Sequence, residues 1–455
     1  MRTLERQLAE FAVGLQLDQI PADAQRVVQR MVMAVIGTGI AGAGEDGVQA
    51  LHELLSQAGG AEQATTLVFG RKLPAAAAAQ FNGTMCRALD FCDAMAPGPH
   101  IGAALFPAAL AAAEWVGGCR GDTFMAALVA GAEISSRLNL SEAQYDGFDP
   151  TGIAVVFSAA AAASRIMGLT VEQTHHALAL AFNRCGGSFQ SHVDGSLGVR
   201  VVQGWVAQAG VQCAQMAQLG MTGPTHFLTG HYGYAHLYGR DTLDLNAVGE
   251  RLGTEWRVHR VVFKKYPSCG VTQGVTELTL ALMHEQGLQV QHVGDVEVRL
   301  PPYAHRLVGH PFRVGANPRV DAQFSAAYCV ANALVRGASK LQHFTPAQVN
   351  DEQVQALARR IRVVADPALD ARGHTAVDLA VQTTAGQWHH RALDIAPGFP
   401  GADLTDAQHR ARFDDCVAYA PHRPSPVQVE TLLNQVSQLA HLPDVRVLLQ
   451  SLTWV

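Results

Sequence analysis

The sequence predicts a mainly α protein, a large all-helical domain joined to a smaller α+β domain, and three observations predict it. Alanine- and glycine-rich apolar runs at helical spacing dominate from Leu4 to about residue 250. Valine-rich alternation of the strand kind appears only after Trp256. At 455 residues the chain is also too long for one ordinary core. The expected boundaries are 1–255 plus 396–455 for the helical domain and 256–395 for the α+β domain.

In the helical part, AAAAAQFNGTMCRAL from Ala75, FPAALAAAEWV from Phe106, TFMAALVAGAEISSRLNL from Thr123 and VVFSAAAAASRIMGL from Val155 carry apolar residues at helical spacing. Their small residues allow helices to approach closely. Thr170 followed by Gln173 has the form of a capping box, and Gly121-Asp122-Thr123 marks another start. Gly168 and Gly220 stand where helices should end. In the second part, EWRVHRVVFKKYP and VGDVEVRLPPYAHRLVG read as strands, and TAVDLAVQTTAGQWHHRALDI reads as a hairpin about Ala385-Gly386. AQFSAAYCVANALVRG and VQALARRIRVV between them read as helices, and two further helices follow Pro397.

Composition narrows the function. Charged residues are only 16% against 48% hydrophobic, as in a globular chain with much buried surface. The net charge of -6 provides no basic footprint for nucleic acid. The apolar runs are too short and alanine-rich for bilayer spans, and the N-terminal segment mixes charges in an amphipathic pattern, so no membrane partner is expected. Eight cysteines without a CxxC pair fit a reducing, cytoplasmic setting better than a disulfide framework or a zinc ribbon. The pairs His175-His176 and His389-His390 lack metal-ligand spacing, so no metal site is expected.

The residues that remain suit acid–base work. Asp90 and Asp93, read on a helix ending near Asp93, share a face, and a Pro/Gly turn then brings His100 to the start of the next helix. A helix start favours anions, and an imidazole beside it transfers protons near neutral pH. The alternative is that the aspartates cap helix ends and His100 is solvated. Tyr145, Asp146, Asp149 and Thr151 form a second polar cluster before an apolar helix, although capping explains much of it. Arg200 stands alone at a helix entry, placed either to grip a carboxylate or to pair with an acid. Lys264 and Lys265 end a valine-rich strand, and Tyr266-Pro267-Ser268-Cys269-Gly270 turns into a helix. A partly buried lysine there acts as base or carboxylate ligand, but only one of the two can face inward.

Taken together, FNGTMCRALDFCDA, DPTGIAVVFSAAAAASRIMGL, AGVQCAQMAQLGMTGP, FKKYPSCG and DAQFSAAYCVANALVRG resemble, in order, the signature segments of the MmgE/PrpD family, across nearly the whole chain. That resemblance implies a helical domain with a smaller α+β lid, a homodimer, no metal or organic cofactor, and a small di- or tricarboxylate as substrate. It also implies acid–base or carboxylate-binding roles for Asp90, His100 and Lys264. Departures stand out. Asp149 replaces a usual catalytic histidine, Val199 replaces the lysine of a lysine–arginine pair, Ala94 replaces a threonine, and Arg87 sits where histidine is common. A site short of two cations should hold a tricarboxylate poorly, since each unpaired carboxylate loses its hydration without compensation.

The leading expectation is therefore a cofactor-independent, hydro-lyase-like enzyme with His100 or Asp149 as base. Lys264 and Arg200 would hold the carboxylate, Tyr145 would supply a proton, and Thr151, Ser268 and Cys269 would contact substrate. Two rivals are an isomerase or epimerase of a small dicarboxylate and a carboxylate-binding protein without catalysis.

Overall fold

The computed structural model describes residues 3–141 and 144–455. Two compact units are present: Met1–Val261 with Ala420–Val455, and Val262–Tyr419. The chain is mainly α, as the periodicity predicts.

In the first unit the helix Pro150–Ile166 is the centre. Every residue in it except Arg165 is buried, so it has no polar face. The helices Gly102–Trp115, Gly121–Leu138 and Gly198–Gln218 pack around it, and Ala75–Arg87 packs against Gly198–Gln218. Small residues allow these axes to approach: a Cβ on Gly210 would come within 2.3 Å of the Ala159 Cβ. Thr170 caps its helix as the sequence predicts, while Asp149, with Pro150 at the first helical position, caps the central one; both side chains accept backbone N–H groups. Gly168 follows the first of these helices at φ +69°.

One feature of this unit carries no sequence signal. Glu133 and Arg137 form an ion pair 3.2 Å long with both side chains fully buried. Arg137 also donates to the carbonyls of Val248, Glu250 and Glu255, while Glu133 accepts the Val258 N–H. These bonds satisfy both charges and tie the 248–258 segment to the bundle.

The second unit is α+β. Its sheet runs in the order Ile361–Ala365, Val293–Leu300, Val377–Thr383, Trp388–Leu393, with the first pair parallel and the others antiparallel. Val296, Val298, Leu300, Val377, Leu379 and Val381 share a core with the helices Gln273–Gln286 and Ala326–Arg336. The hairpin at Ala385-Gly386 forms as read.

Three local readings are corrected. In VGDVEVRLPPYAHRLVG the strand ends at Leu300, and Pro302–Val308 is a helix, which a proline at its first turn favours. The helix in VQALARRIRVV ends at Ala358, and Ile361–Ala365 is a strand, because β-branched Ile361, Val363 and Val364 find a parallel partner in Val293–Leu300. In EWRVHRVVFKKYP only Val261–Phe263 is a strand, since Arg257–Arg260 closes into a 3₁₀ turn. Among the described residues, no helix is long and apolar enough to cross a membrane.

Candidate active site

The site begins where the helix Ala75–Arg87 stops. Asp90 and Asp93 therefore do not share a helix face, which corrects the sequence expectation: the helix ends three residues before Asp90. Asp90 lies at φ +52°, a left-handed conformation that aspartate tolerates better than most residues. Its carboxylate meets the buried Arg87 guanidinium at 2.7 Å and the His100 Nε2 at 3.5 Å. Burial works against the Arg87 charge, but Asp90, Cys92 and Asp149 together outweigh it, so the guanidinium is held more firmly protonated than usual. Asp93 is fully buried, and its carboxylate accepts the Ile101 and Gly102 N–H groups at 3.0–3.1 Å. That satisfies two open donors at the start of the helix Gly102–Trp115, a structural task.

His100 is buried, not solvated. Its Nδ1 lies 2.7 Å from the Asp93 carbonyl oxygen. An oxygen with only lone pairs there requires Nδ1 to carry the proton, which leaves Nε2 as the nitrogen that accepts one. The backbone is fixed as well: its N–H donates to Thr151 Oγ1 at 3.0 Å, and its carbonyl accepts Gln203 Nε2 at 2.8 Å. An imidazole held this way can accept a proton at Nε2, with a carboxylate beside it to stabilise the imidazolium.

Asp149 is the N-cap of the helix Pro150–Ile166. One oxygen accepts Thr151 N–H at 2.8 Å and Gly152 N–H at 3.2 Å. The other lies 3.3 Å from His192 Nε2. Arg87, His100, Asp149, Thr151, His192 and Gln203 together line a cavity of about 20 Å³, with Phe189, Val199 and Val202 as an apolar wall. That volume is room for about one water.

The other sequence-predicted residues fall elsewhere. Tyr145 donates to Asn139 Oδ1, and Arg200 Nη1 donates to the Asp46 carbonyl at 2.8 Å; neither is among the described residues of the cavity wall. Lys264, Ser268 and Cys269 belong to the Val262–Tyr419 unit. There Lys264 is buried, whereas Lys265 pairs with Glu277 at 2.6 Å. Ser268 Oγ accepts from Thr272 Oγ1 at 2.7 Å, and Cys269 N–H donates to the Gln323 carbonyl at 3.0 Å. Among the described residues, no three His, Cys, Asp or Glu side chains gather as a metal site requires.

Sequence reasoning missed His192 and Gln203. The signal was present in SFQSHVDGS, an imidazole in a polar loop before a glycine-rich helix, the same pattern that drew attention to His100.

The fold and this site define a class. The MmgE/PrpD N-terminal domain matches residues 6–245 and the MmgE/PrpD C-terminal domain residues 266–438, so the chain belongs to the MmgE/PrpD family. Its relatives include the cis-aconitate decarboxylase of Mus musculus, 24% identical over 81% of this chain and 77% of that protein. The cis-aconitate decarboxylase-like protein oryM of Aspergillus oryzae is 24% identical over 90% of this chain and 89% of that protein. The human cis-aconitate decarboxylase is 23% identical over 81% and 78% respectively.

Proposed function

We propose that this chain is a cofactor-independent lyase that removes water from a small hydroxy-dicarboxylate, starting with proton abstraction next to a carboxylate. The observation that carries the reading is His100: Nδ1 is committed to the Asp93 carbonyl, and Nε2 lies beside Asp90 at the cavity. In the reaction Nε2 takes the proton from carbon, and the C–H bonding pair becomes the new double bond. The C–O bond breaks toward oxygen, which leaves as water after receiving a proton. The decarboxylase names of the relatives support a second reading, loss of carbon dioxide. There the C–C bond to the leaving carboxylate breaks, the pair stays on carbon, and an imidazolium proton closes a new C–H bond.

Charge favours a dicarboxylate. Arg87 is already matched by Asp90, and the place of the family's lysine is Val199, part of the apolar wall. Within this unit the cavity therefore compensates one carboxylate far better than several.

Proton NMR in D2O with hydroxy-dicarboxylates, amino dicarboxylates, 2-methylcitrate and cis-aconitate tests both parts. Deuterium should enter next to a carboxylate and an alkene should form, with both slowed on the order of 10²-fold or more in His100→Ala. Equal turnover of 2-methylcitrate or cis-aconitate would overturn the charge argument. No product from any compound would overturn the enzyme reading.

A further inference from the structure

Elimination of water needs two proton-transfer groups, one for carbon and one for the departing oxygen. His100 accounts for the first. We infer that His192 is the second, the acid that protonates the leaving group, and that Asp149 is its positioning residue and not a base. The inference rests on the lyase reading above and names a group that the sequence motifs do not.

The geometry is built from both sides. Both oxygens of Asp149 already have partners: one caps the Pro150–Ile166 helix through two N–H groups, and the other holds His192 Nε2 at 3.3 Å. A carboxylate offers only lone pairs, so the shared proton sits on Nε2 of the imidazole, and Nδ1 is the nitrogen that gains and loses a proton. The Phe189 ring stacks on His192 at 4.5 Å and 15°, which fixes the ring plane. Both imidazoles line the one small cavity.

The segment bearing His192 is laced to the helix start that bears Asp149. Asp149 N–H donates to the Gly187 carbonyl, Gly186 N–H to the Gly152 carbonyl, and Phe189 N–H to the Gly147 carbonyl, at 2.8–3.2 Å. His192 remains 16% exposed at its side chain and Asp149 4%. A buried carboxylate behind a partly accessible imidazole is the order a proton-transfer pair requires. The imidazole that the family pattern puts at position 149 is thus supplied from position 192. The step balances: His192 as imidazolium gives its Nδ1 proton to the leaving hydroxyl, His100 holds the proton taken from carbon, and water restores both.

Three variants test this: His100→Ala, His192→Gln and Asp149→Ser, the last keeping a side chain that caps a helix. His192→Gln should lower kcat for water loss on the order of 10²-fold with KM little changed. Exchange of the carbon-bound hydrogen with D2O, the task of His100, should persist in that variant. Asp149→Ser should lower kcat in the same way, and long-range 1H–15N correlation should show His192 protonated at Nε2 in the wild type and losing that preference in the variant. Water loss within about threefold of wild type in His192→Gln overturns the assignment. So does joint loss of water elimination and exchange, which marks a structural role, or an unprotonated Nε2 in the wild type. If the wild type neither exchanges nor eliminates, it is the lyase reading that falls, and the catalytic assignment with it.

Discussion

At the scale of single residues, the lesson is that one side chain's chemistry is decided by where its lone pairs go. Asp149 has the residue type of a base, but its oxygens are committed to two N–H groups and to His192. Gly152 shows how tightly that corner is set: a Cβ there would lie 1.7 Å from the Gly186 carbonyl oxygen. Backbone must move to admit it, so Gly152→Ala should cost about 1–3 kcal/mol in denaturant unfolding. It should also lower turnover by displacing the segment that carries His192; unchanged turnover with unchanged stability would show that the corner is looser. His100, Asp90 and Thr151 could be singled out from sequence because each stands in a polar break before an apolar helix. His192 stood in such a break too, but a lone imidazole acquires meaning only from a carboxylate 43 residues away.

At the scale of elements, capping rules located helix starts well. The capping box of Thr170 and Gln173 forms as written, because its partners are three residues apart. Asp93 is the contrasting case. It caps the Gly102–Trp115 helix from a short strand eight and nine residues upstream, a span that no local rule covers. Asp93→Ala would leave two buried N–H groups open and should cost about 1–3 kcal/mol by urea unfolding. The same variant removes support from beside His100, whose Nδ1 bonds the Asp93 carbonyl, so activity should fall with stability. Loss of activity at full stability would instead give the Asp93 carboxylate a direct role. The strand Ile361–Ala365 escapes local rules for a related reason: its parallel partner lies more than sixty residues away, and pairing outweighs local propensity.

At the scale of the whole molecule, stability should respond to acid through His343. It is buried, and its Nδ1 accepts the Lys340 N–H at 3.2 Å, a bond that protonation at Nδ1 would break. Burial first, then the nearby Arg336 and Lys340 charges, holds its pKa down at about 4. The unfolded chain has an ordinary histidine near 6.5 and binds the proton first. Stability conferred by the neutral ring is therefore complete above about pH 6.5 and declines as pH falls toward 4, by about 1–2 kcal/mol after allowance for solvent screening. Urea unfolding at several pH values should show that decline in the wild type and a smaller one in His343→Gln. Equal slopes would remove His343 as the cause. By itself the sequence determined the helical character, the α+β texture after Trp256, and family membership, because periodicity, capping and motif order are local properties of a chain. Only the tertiary structure decided which polar side chains share the cavity, that Asp149 is a cap holding His192, and that Glu133 and Arg137 could be buried together. Those outcomes depend on distances between residues far apart in sequence and on desolvation, and both exist only once the chain has packed.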